Sequence, residues 1–265
     1  MPELPDVEQF RRFFRDHATG RTVASVTVDP TILRNIEPKG LEAALQGRTF
    51  DEPARHGKWM LGWTDGPALL LHFGMTGELE YADDDDGRHR HDRLTLVFEG
   101  GGELRYRNMR KLGGVWLAHD PVEVERIIGA LGPDALSLSR KAFLELLSTR
   151  RGQVKAALMD QSFVAGIGNL MADEILWQAH LHPKRSIESL TGEERATLAR
   201  LTHSVLKEAI DRYEAINRRR TWLLHVRGVP GGSCPRCGTS LARTVAAGRT
   251  TYFCPRCQAL PEDRP

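Results

Sequence analysis

The pattern Cys234-Pro235-Arg236-Cys237 recurs as Cys254-Pro255-Arg256-Cys257, and these are the four cysteines of the chain. Their spacing, C-x2-C-x16-C-x2-C, lies inside the range of a four-thiolate zinc site. Two disulfides are the competing reading, but nothing else in the sequence indicates an oxidising compartment. A ribbon this short has almost no core of its own, whereas a structural zinc supplies about 10–16 kcal/mol of apparent binding energy. The spacing predicts one structural Zn2+ on Cys234, Cys237, Cys254 and Cys257. Arg236 and Arg256, one in each knuckle, can offset the tetrathiolate charge.

Around the ribbon the chain is basic. Between Ala215 and Pro261 there are eight Arg and no Asp, Glu or Lys. The net charge is +2, yet residues 1–150 carry 20 Lys/Arg against 24 Asp/Glu, and residues 151–265 carry 17 against 11. A guanidinium presents a fork that matches phosphate oxygens, and merely solubilising surfaces usually mix both signs. The asymmetry points to nucleic acid as the partner.

Upstream of the ribbon the apolar period is helical. Val154–Met159 and Asn169–Ala179 read as helices joined by Gly166-Ile167-Gly168. Thr191-Gly192-Glu193-Glu194 is a capping box opening a long helix with the stripe Leu198, Leu201, Val205, Ile210 and Tyr213. Gly166-x-Gly168-Asn169 has two readings, a tight turn or a phosphate site at a helix start. Further back the period changes to two. Thr22–Val28, Trp59–Trp63, Ala68–Phe73, Leu94–Phe98, Glu103–Arg107 and Val115–Ala118 read as strands, separated by turn-forming clusters that include Asp83–Gly87 and its four-Asp run. A helical stripe of Leu4, Val7, Phe10 and Phe14 precedes them, with Pro5 in its first turn.

The expected fold is α+β and multidomain. An N-terminal β-sandwich or barrel with an N-terminal helix spans 1–120, a helical domain 121–224, and a zinc finger 225–265. A cleft between domains is the default place for a ligand. At roughly 150 residues per domain, the 265 residues suggest two modest domains beside the ribbon. The longest apolar runs, such as Ala68–Leu71, are too short to cross a bilayer. No basic and apolar leader is visible, so a cytoplasmic, monomeric protein with no membrane partner is expected.

Three residues stand out chemically. If Met1 is removed, Pro2 becomes a secondary amine, and local environment can bring an amine into range as a nucleophile near neutral pH. Glu3 is a carboxylate immediately beside it, and Lys58 lies in Arg55-His56-Gly57-Lys58-Trp59 at the mouth of a strand. Each alone is more often a solvated surface group.

Their combination resembles a known family. Pro2-Glu3-Leu4-Pro5-Asp6-Val7-Glu8 is similar to the N-terminal signature of formamidopyrimidine-DNA glycosylases, the Fpg/Nei family of base-excision repair. Four further blocks agree in order. They are Arg55–Lys58; His72–Gly77; Lys155–Asp160 with Gly166–Asn169; and the ribbon with Gly248-Arg249-Thr250-Thr251.

The resemblance implies a β-sandwich, a helix–two-turn–helix module and a zinc finger. It implies a bifunctional glycosylase and AP lyase working by β,δ-elimination on duplex DNA with a damaged base. Pro2 would attack C1′ and form a Schiff base, and Glu3 would shuttle protons. Lys58 would assist elimination and bind phosphate, while Arg249 would hold flanking phosphates. Met75, Arg110 and Leu112 would fill the void left by the extruded base. His72, His91, Lys155 and Asn169 would be further DNA contacts.

The chain departs from the family in two places. The block Asp-Pro-Arg-Arg-Phe-Gly reads Asn108-Met109-Arg110-Lys111-Leu112-Gly113, which removes an aromatic that could stack beside the estranged base. The loop before the ribbon, Ile216–Leu223, is short, which implies a truncated lid. Ring-opened purines and hydantoins are therefore expected over 8-oxoguanine. The competing readings are a Nei-like glycosylase for oxidised pyrimidines, a catalytically silent zinc-containing lesion binder, and a zinc-ribbon transcription factor. The last leaves residues 1–150 without a role.

Overall fold

The computed structural model describes residues 2–83, 87–213 and 219–260. Met1, residues 84–86 of the four-Asp run, and residues 214–218, which include the start of the short loop, lie outside the described residues. The chain divides into two compact units: Pro2 with Asp6–Ala130, and Glu3–Pro5 with the residues from Leu131 onward.

The first unit is a β-sandwich. One sheet pairs β1 (Val23–Val28), β6 (Asp92–Phe98), β7 (Glu103–Asn108) and β5 (Gly77–Ala82) in that order. The other pairs β2 (Ala54–His56), β3 (Trp59–Trp63), β4 (Ala68–His72) and β8 (Gly114–Ala118), and every pairing is antiparallel. Strand alternation explains the apolar run Ala68–Leu71, whose successive side chains point to opposite faces. Leu69 and Leu71 enter the sandwich core with Val26, Leu96, Tyr106 and Val115, joined by Val7 and Phe14 of helix α1 (Leu4–Ala18). Ala68 and Leu70 face the other way, against Val124 of α3 (Pro121–Ile128). That packing puts α3 in the first unit, although the sequence reading groups it with the helical half.

Three elements of this unit escape a periodicity reading, and one of them, β2, is only three residues long. Helix α2 (Pro38–Leu45) is short and buries only Leu41 and Leu45. Strand β5 reads Gly-Glu-Leu-Glu-Tyr-Ala, and its acidic side chains sit across the ladder from basic ones, Glu78 from Arg107 and Glu80 from Arg105.

The second unit is helical with an appended hairpin. Helices α4 (Arg140–Thr149), α5 (Val154–Met159), α6 (Asn169–Gln178) and α7 (Gly192–Asp211) enclose one apolar core that also takes in Leu4. The capping box forms as expected: Thr191 Oγ1 accepts from Glu194 N, and Glu194 Oε2 accepts from Thr191 N. Helix α6 is buried from Met171 to Trp177. The ribbon is a hairpin of β9 (Ala242–Ala246) and β10 (Arg249–Phe253) flanked by the two cysteine knuckles. No helix among the described residues is long and apolar enough to cross a membrane.

Candidate active site

Glu3 is seated on the N-terminus of α6. Its Oε2 accepts from Gly168 N at 3.0 Å and Met171 N at 3.0 Å, and its Oε1 accepts from Leu170 N at 2.8 Å. These are N–H groups that a helix start leaves without intrahelical partners, at the positive end of its dipole. The carboxylate is almost fully buried. Gly168 is required by this approach, because a Cβ there would lie 2.2 Å from Glu3 Cδ. The Gly166-x-Gly168 segment is therefore an anion seat, but the anion it holds is the chain's own carboxylate rather than a phosphate.

The same helix end anchors the ribbon hairpin. Lys155 is fully buried, and its ammonium donates to Asn169 Oδ1 (2.7 Å), Asp173 Oδ1 (2.6 Å) and Thr251 Oγ1 (2.6 Å). Asn169 Nδ2 donates to Thr250 O at 3.1 Å. Asp173 Oδ2 accepts from Arg227 Nε at 2.8 Å and from Tyr252 N at 3.3 Å. Burial lowers the Lys155 pKa, and the Asp173 carboxylate opposes that shift. Lys155 and Asn169 thus spend their polar groups on β10, whose first residue is Arg249. Arg249 itself is exposed, just after the two-residue turn Ala247-Gly248. Both turn residues have positive φ, +51° and +67°, which is the twist that a two-residue hairpin needs.

The cysteines form a metal-shaped cluster. All four are free thiols, and their Sγ atoms lie within 4.8 Å of one another. That spread suits four thiolates around one ion at bonds of ~2.3 Å. Trp177 Nε1 donates to Cys234 Sγ at 3.4 Å, and Cys257 N donates to Cys254 Sγ at 3.3 Å. Donors aimed at sulfur favour the thiolate form that a metal requires. The residues present fit one structural zinc, as the spacing predicts. Arg236 stacks over Trp177, 4.3 Å from the ring centroid.

On the first unit, Lys58 is half-buried in the turn between β2 and β3, where His56 pairs with Trp59. Arg55 steadies that hairpin, donating to Gly57 O at 3.0 Å and to Glu8 of α1 at 3.2 Å. Burial opposes ionisation of Glu8, but Arg11 and Arg55 outweigh it and hold its pKa below the ordinary value. His72 lies across the ladder from Trp59, and burial, then the charge of Lys58, lowers its pKa. Its Nδ1 accepts from Gly74 N at 3.3 Å. Pro2 is half-buried. His91 sits beside Arg93 in the approach to β6, with Arg93 NH2 at 3.1 Å from its Nδ1.

Met75, Arg110 and Leu112 project from two turns whose backbones touch. A Cβ on Gly74 would lie 2.4 Å from Gly113 N and 2.5 Å from Leu112 C. Thr76 Oγ1 and Asn108 Oδ1 are 3.2 Å apart, and these atoms accept from Arg110 N and Lys111 N respectively.

The structure therefore groups Glu3 with α6, Lys155 and Asn169 with the strand of Arg249, Lys58 with His72, and Met75 with Arg110 and Leu112. Pro2 and Lys58 belong to the first unit, Glu3 and Arg249 to the second. Sequence reasoning overlooked Glu8, Asp173 and Arg227. The only available signal was Asp173 as an acid inside an otherwise apolar helix and Arg227 within the acid-free block.

Comparison with known proteins finds similarity in each part of the chain. Residues 1–115 match the family model of the formamidopyrimidine-DNA glycosylase N-terminal domain, and residues 131–220 that of its H2TH domain. Residues 231–260 match the zinc finger found in FPG and IleRS. A formamidopyrimidine-DNA glycosylase of Symbiobacterium thermophilum is 36% identical, covering 99% of this chain and 90% of the relative. One from Pelobacter propionicus is 36% identical over 97% of this chain and 100% of its own length. Among solved structures, Lactococcus lactis Fpg (MutM) in complex with DNA containing N7-benzyl-Fapy-dG superposes with a TM-score of 0.88. It is 30% identical, covering 98% of this chain and 100% of that one. The same enzyme bound noncovalently to DNA with an AP site also gives 0.88, at 31% identity, covering 97% of this chain and 100% of that chain.

Proposed function

The chain belongs to the formamidopyrimidine-DNA glycosylase family, and we propose that it excises oxidised or ring-opened bases from duplex DNA and then cleaves the abasic strand. The observation that carries this reading is the seating of Glu3, which fixes a carboxylate one residue from Pro2. Once Met1 is removed, the Pro2 amine attacks C1′, a C–N bond forms, and the glycosidic bond breaks with the base as leaving group. Ring opening leaves an iminium at C1′, and Glu3 moves the protons that this step requires. The iminium acidifies the C2′ hydrogens, so β-elimination breaks the C3′–O bond and δ-elimination then breaks the C5′–O bond. Lys58 assists elimination and binds phosphate, and Arg249 grips the flanking phosphates.

Met75, Arg110 and Leu112 fill the vacated stack, while His72 and His91 support contacts of the same unit to DNA. Lys155 and Asn169 act through β10 by holding the strand that presents Arg249. The zinc is structural and enters no chemical step. The short connection before the ribbon supports ring-opened purines and hydantoins over 8-oxoguanine. The protein works as a monomer on its duplex.

Borohydride trapping tests the reading, on duplexes carrying an abasic site, 8-oxoguanine, a formamidopyrimidine, a hydantoin or thymine glycol. The expected result is a covalent adduct that disappears in Pro2→Gly, strongest on the abasic, formamidopyrimidine and hydantoin substrates. Preference for 8-oxoguanine overturns the lid argument, and preference for thymine glycol selects the Nei-like assignment. Binding to every duplex with trapping on none makes the protein a silent lesion binder.

A further inference from the structure

Seven large apolar side chains are exposed among the described residues, and three of them, Met75, Met109 and Leu112, share the two touching turns of the first unit. Met109 and Leu112 are each 54% exposed and Met75 40%. Their exposure does not come from slack backbone. Asn108 ends β7 opposite Gly77, and its Oδ1 accepts from Lys111 N at 2.9 Å. Its N–H donates to His91 O at 2.9 Å, and its Nδ2 to Tyr106 Oη at 2.7 Å. Lys111 is held at φ +52°, and Arg34 donates to Lys111 O and Gly113 O. A rigid loop thus presents Met109, Arg110 and Leu112 outward together. Arg93 Nε donates to Asn108 O at 3.1 Å, which ties the same loop to β6.

We propose that Met109 is a specificity-determining residue that enters the gap in the duplex beside Leu112 and contacts the base opposite the lesion. This rests on the glycosylase reading given above. A planar ring at position 112 would set one stacking geometry, whereas Leu112 has no plane to stack. Met109 supplies a second apolar arm, unbranched and with three rotatable bonds, which can follow either a large or a small opposite base. The arm matters most where the opposite base is small and the gap is largest. The pair Met109 and Leu112 therefore makes the enzyme tolerant of the opposite base, with Arg110 between them supplying hydrogen-bond donors.

The test compares wild type, Met109→Ala and the exposed but remote Val122→Ala on one lesion paired in turn with each of the four bases. For Met109→Ala, kcat/KM should fall about fivefold or more opposite pyrimidines and less than twofold opposite purines. Val122→Ala should match wild type. Equal losses opposite all four bases, or no loss, overturn the proposal. A second measurement needs no turnover. With 2-aminopurine placed opposite a tetrahydrofuran site, wild-type protein should change its emission on binding, and Met109→Ala should change it much less at saturation. Should wild type bind the abasic duplex without excising any base, the catalytic reading fails, and the 2-aminopurine comparison still decides the role of Met109. Identical emission changes for the two proteins overturn it.

Discussion

Lys155 Nζ lies 2.6 Å from Thr251 Oγ1, which joins α5 to the strand that begins with Arg249. Thr251 Oγ1 is also 3.0 Å from Arg249 O, so the buried ammonium is one side chain away from the backbone of an exposed arginine. On the function proposed above, the lysine serves DNA binding by position, as a support for Arg249. Lys155→Met would leave the buried Asp173 with Arg227 as its remaining ion pair, at a cost of roughly 3 kcal/mol. Urea denaturation should show that loss. The slope of log K against log salt should stay unchanged in the folded variant, whereas losing a direct phosphate contact would reduce it by about 0.9.

Gly168→Ala should inactivate without unfolding. The new Cβ would occupy the place of the Glu3 carboxyl, 2.2 Å from Cδ, and the side chain would be displaced from α6. A displacement of that size costs on the order of 10²-fold in rate. Single-turnover excision should fall accordingly while affinity for an abasic duplex stays within a few-fold of wild type. Full activity in this variant would remove Glu3 from the proton-transfer role.

Glu174 makes stability depend on pH in a direction opposite to most carboxylates. Burial raises its pKa from 4.5 to about 7, against the hydrogen bonds from Gln178 and from the backbone of Leu224. Between those two values the unfolded chain releases a proton that the folded chain keeps. Stability from this group is therefore full below pH ~4.5, falls as pH rises, and is lost above pH ~7, by roughly 3 kcal/mol in total. Urea midpoints measured at pH 5, 6, 7 and 8 should show Glu174→Gln gaining on wild type across the series. A constant difference between the two proteins would refute this assignment.

One zinc per chain is expected on metal analysis after thiol-reactive release. Its removal should loosen the knuckles on either side of β9 and β10 and, with them, the placement of Arg249. Trp177 reports the event directly, because its indole N–H donates to Cys234 Sγ. Chelation should shift tryptophan emission and abolish duplex binding together, and Cys254→Ser should reproduce both effects. Binding that survives complete zinc loss would show that the hairpin is held by the Lys155 and Asp173 anchors alone.

Much of the architecture was legible in local pattern. Strand β3 and helix α5 have the limits that their apolar period predicts, and the capping box at Thr191 forms as its spacing requires. The elements that escaped are those whose burial is supplied by partners. Strand β5 draws on charge pairs across the ladder, and α2 has only two buried residues to signal it. The β9–β10 hairpin turns at Ala247-Gly248, where the first residue is not a typical left-handed residue.

The chemistry available can be read along the chain: four thiolates at metal spacing, a proline followed by glutamate, a lysine at a strand mouth, and an arginine block free of acids. These are properties of residue type and short-range spacing, which no folding is needed to read. How those groups are used depends on which distant parts of the chain the fold brings together. The fold placed Glu3 on an N-terminus 165 residues away, where orphan N–H groups needed an acceptor and only glycine left room for one. It buried Lys155 completely, so that its three donors turned inward to Asn169, Asp173 and Thr251. An ammonium excluded from water must find partners within the fold, and sequence spacing carries no record of which distant groups will meet it.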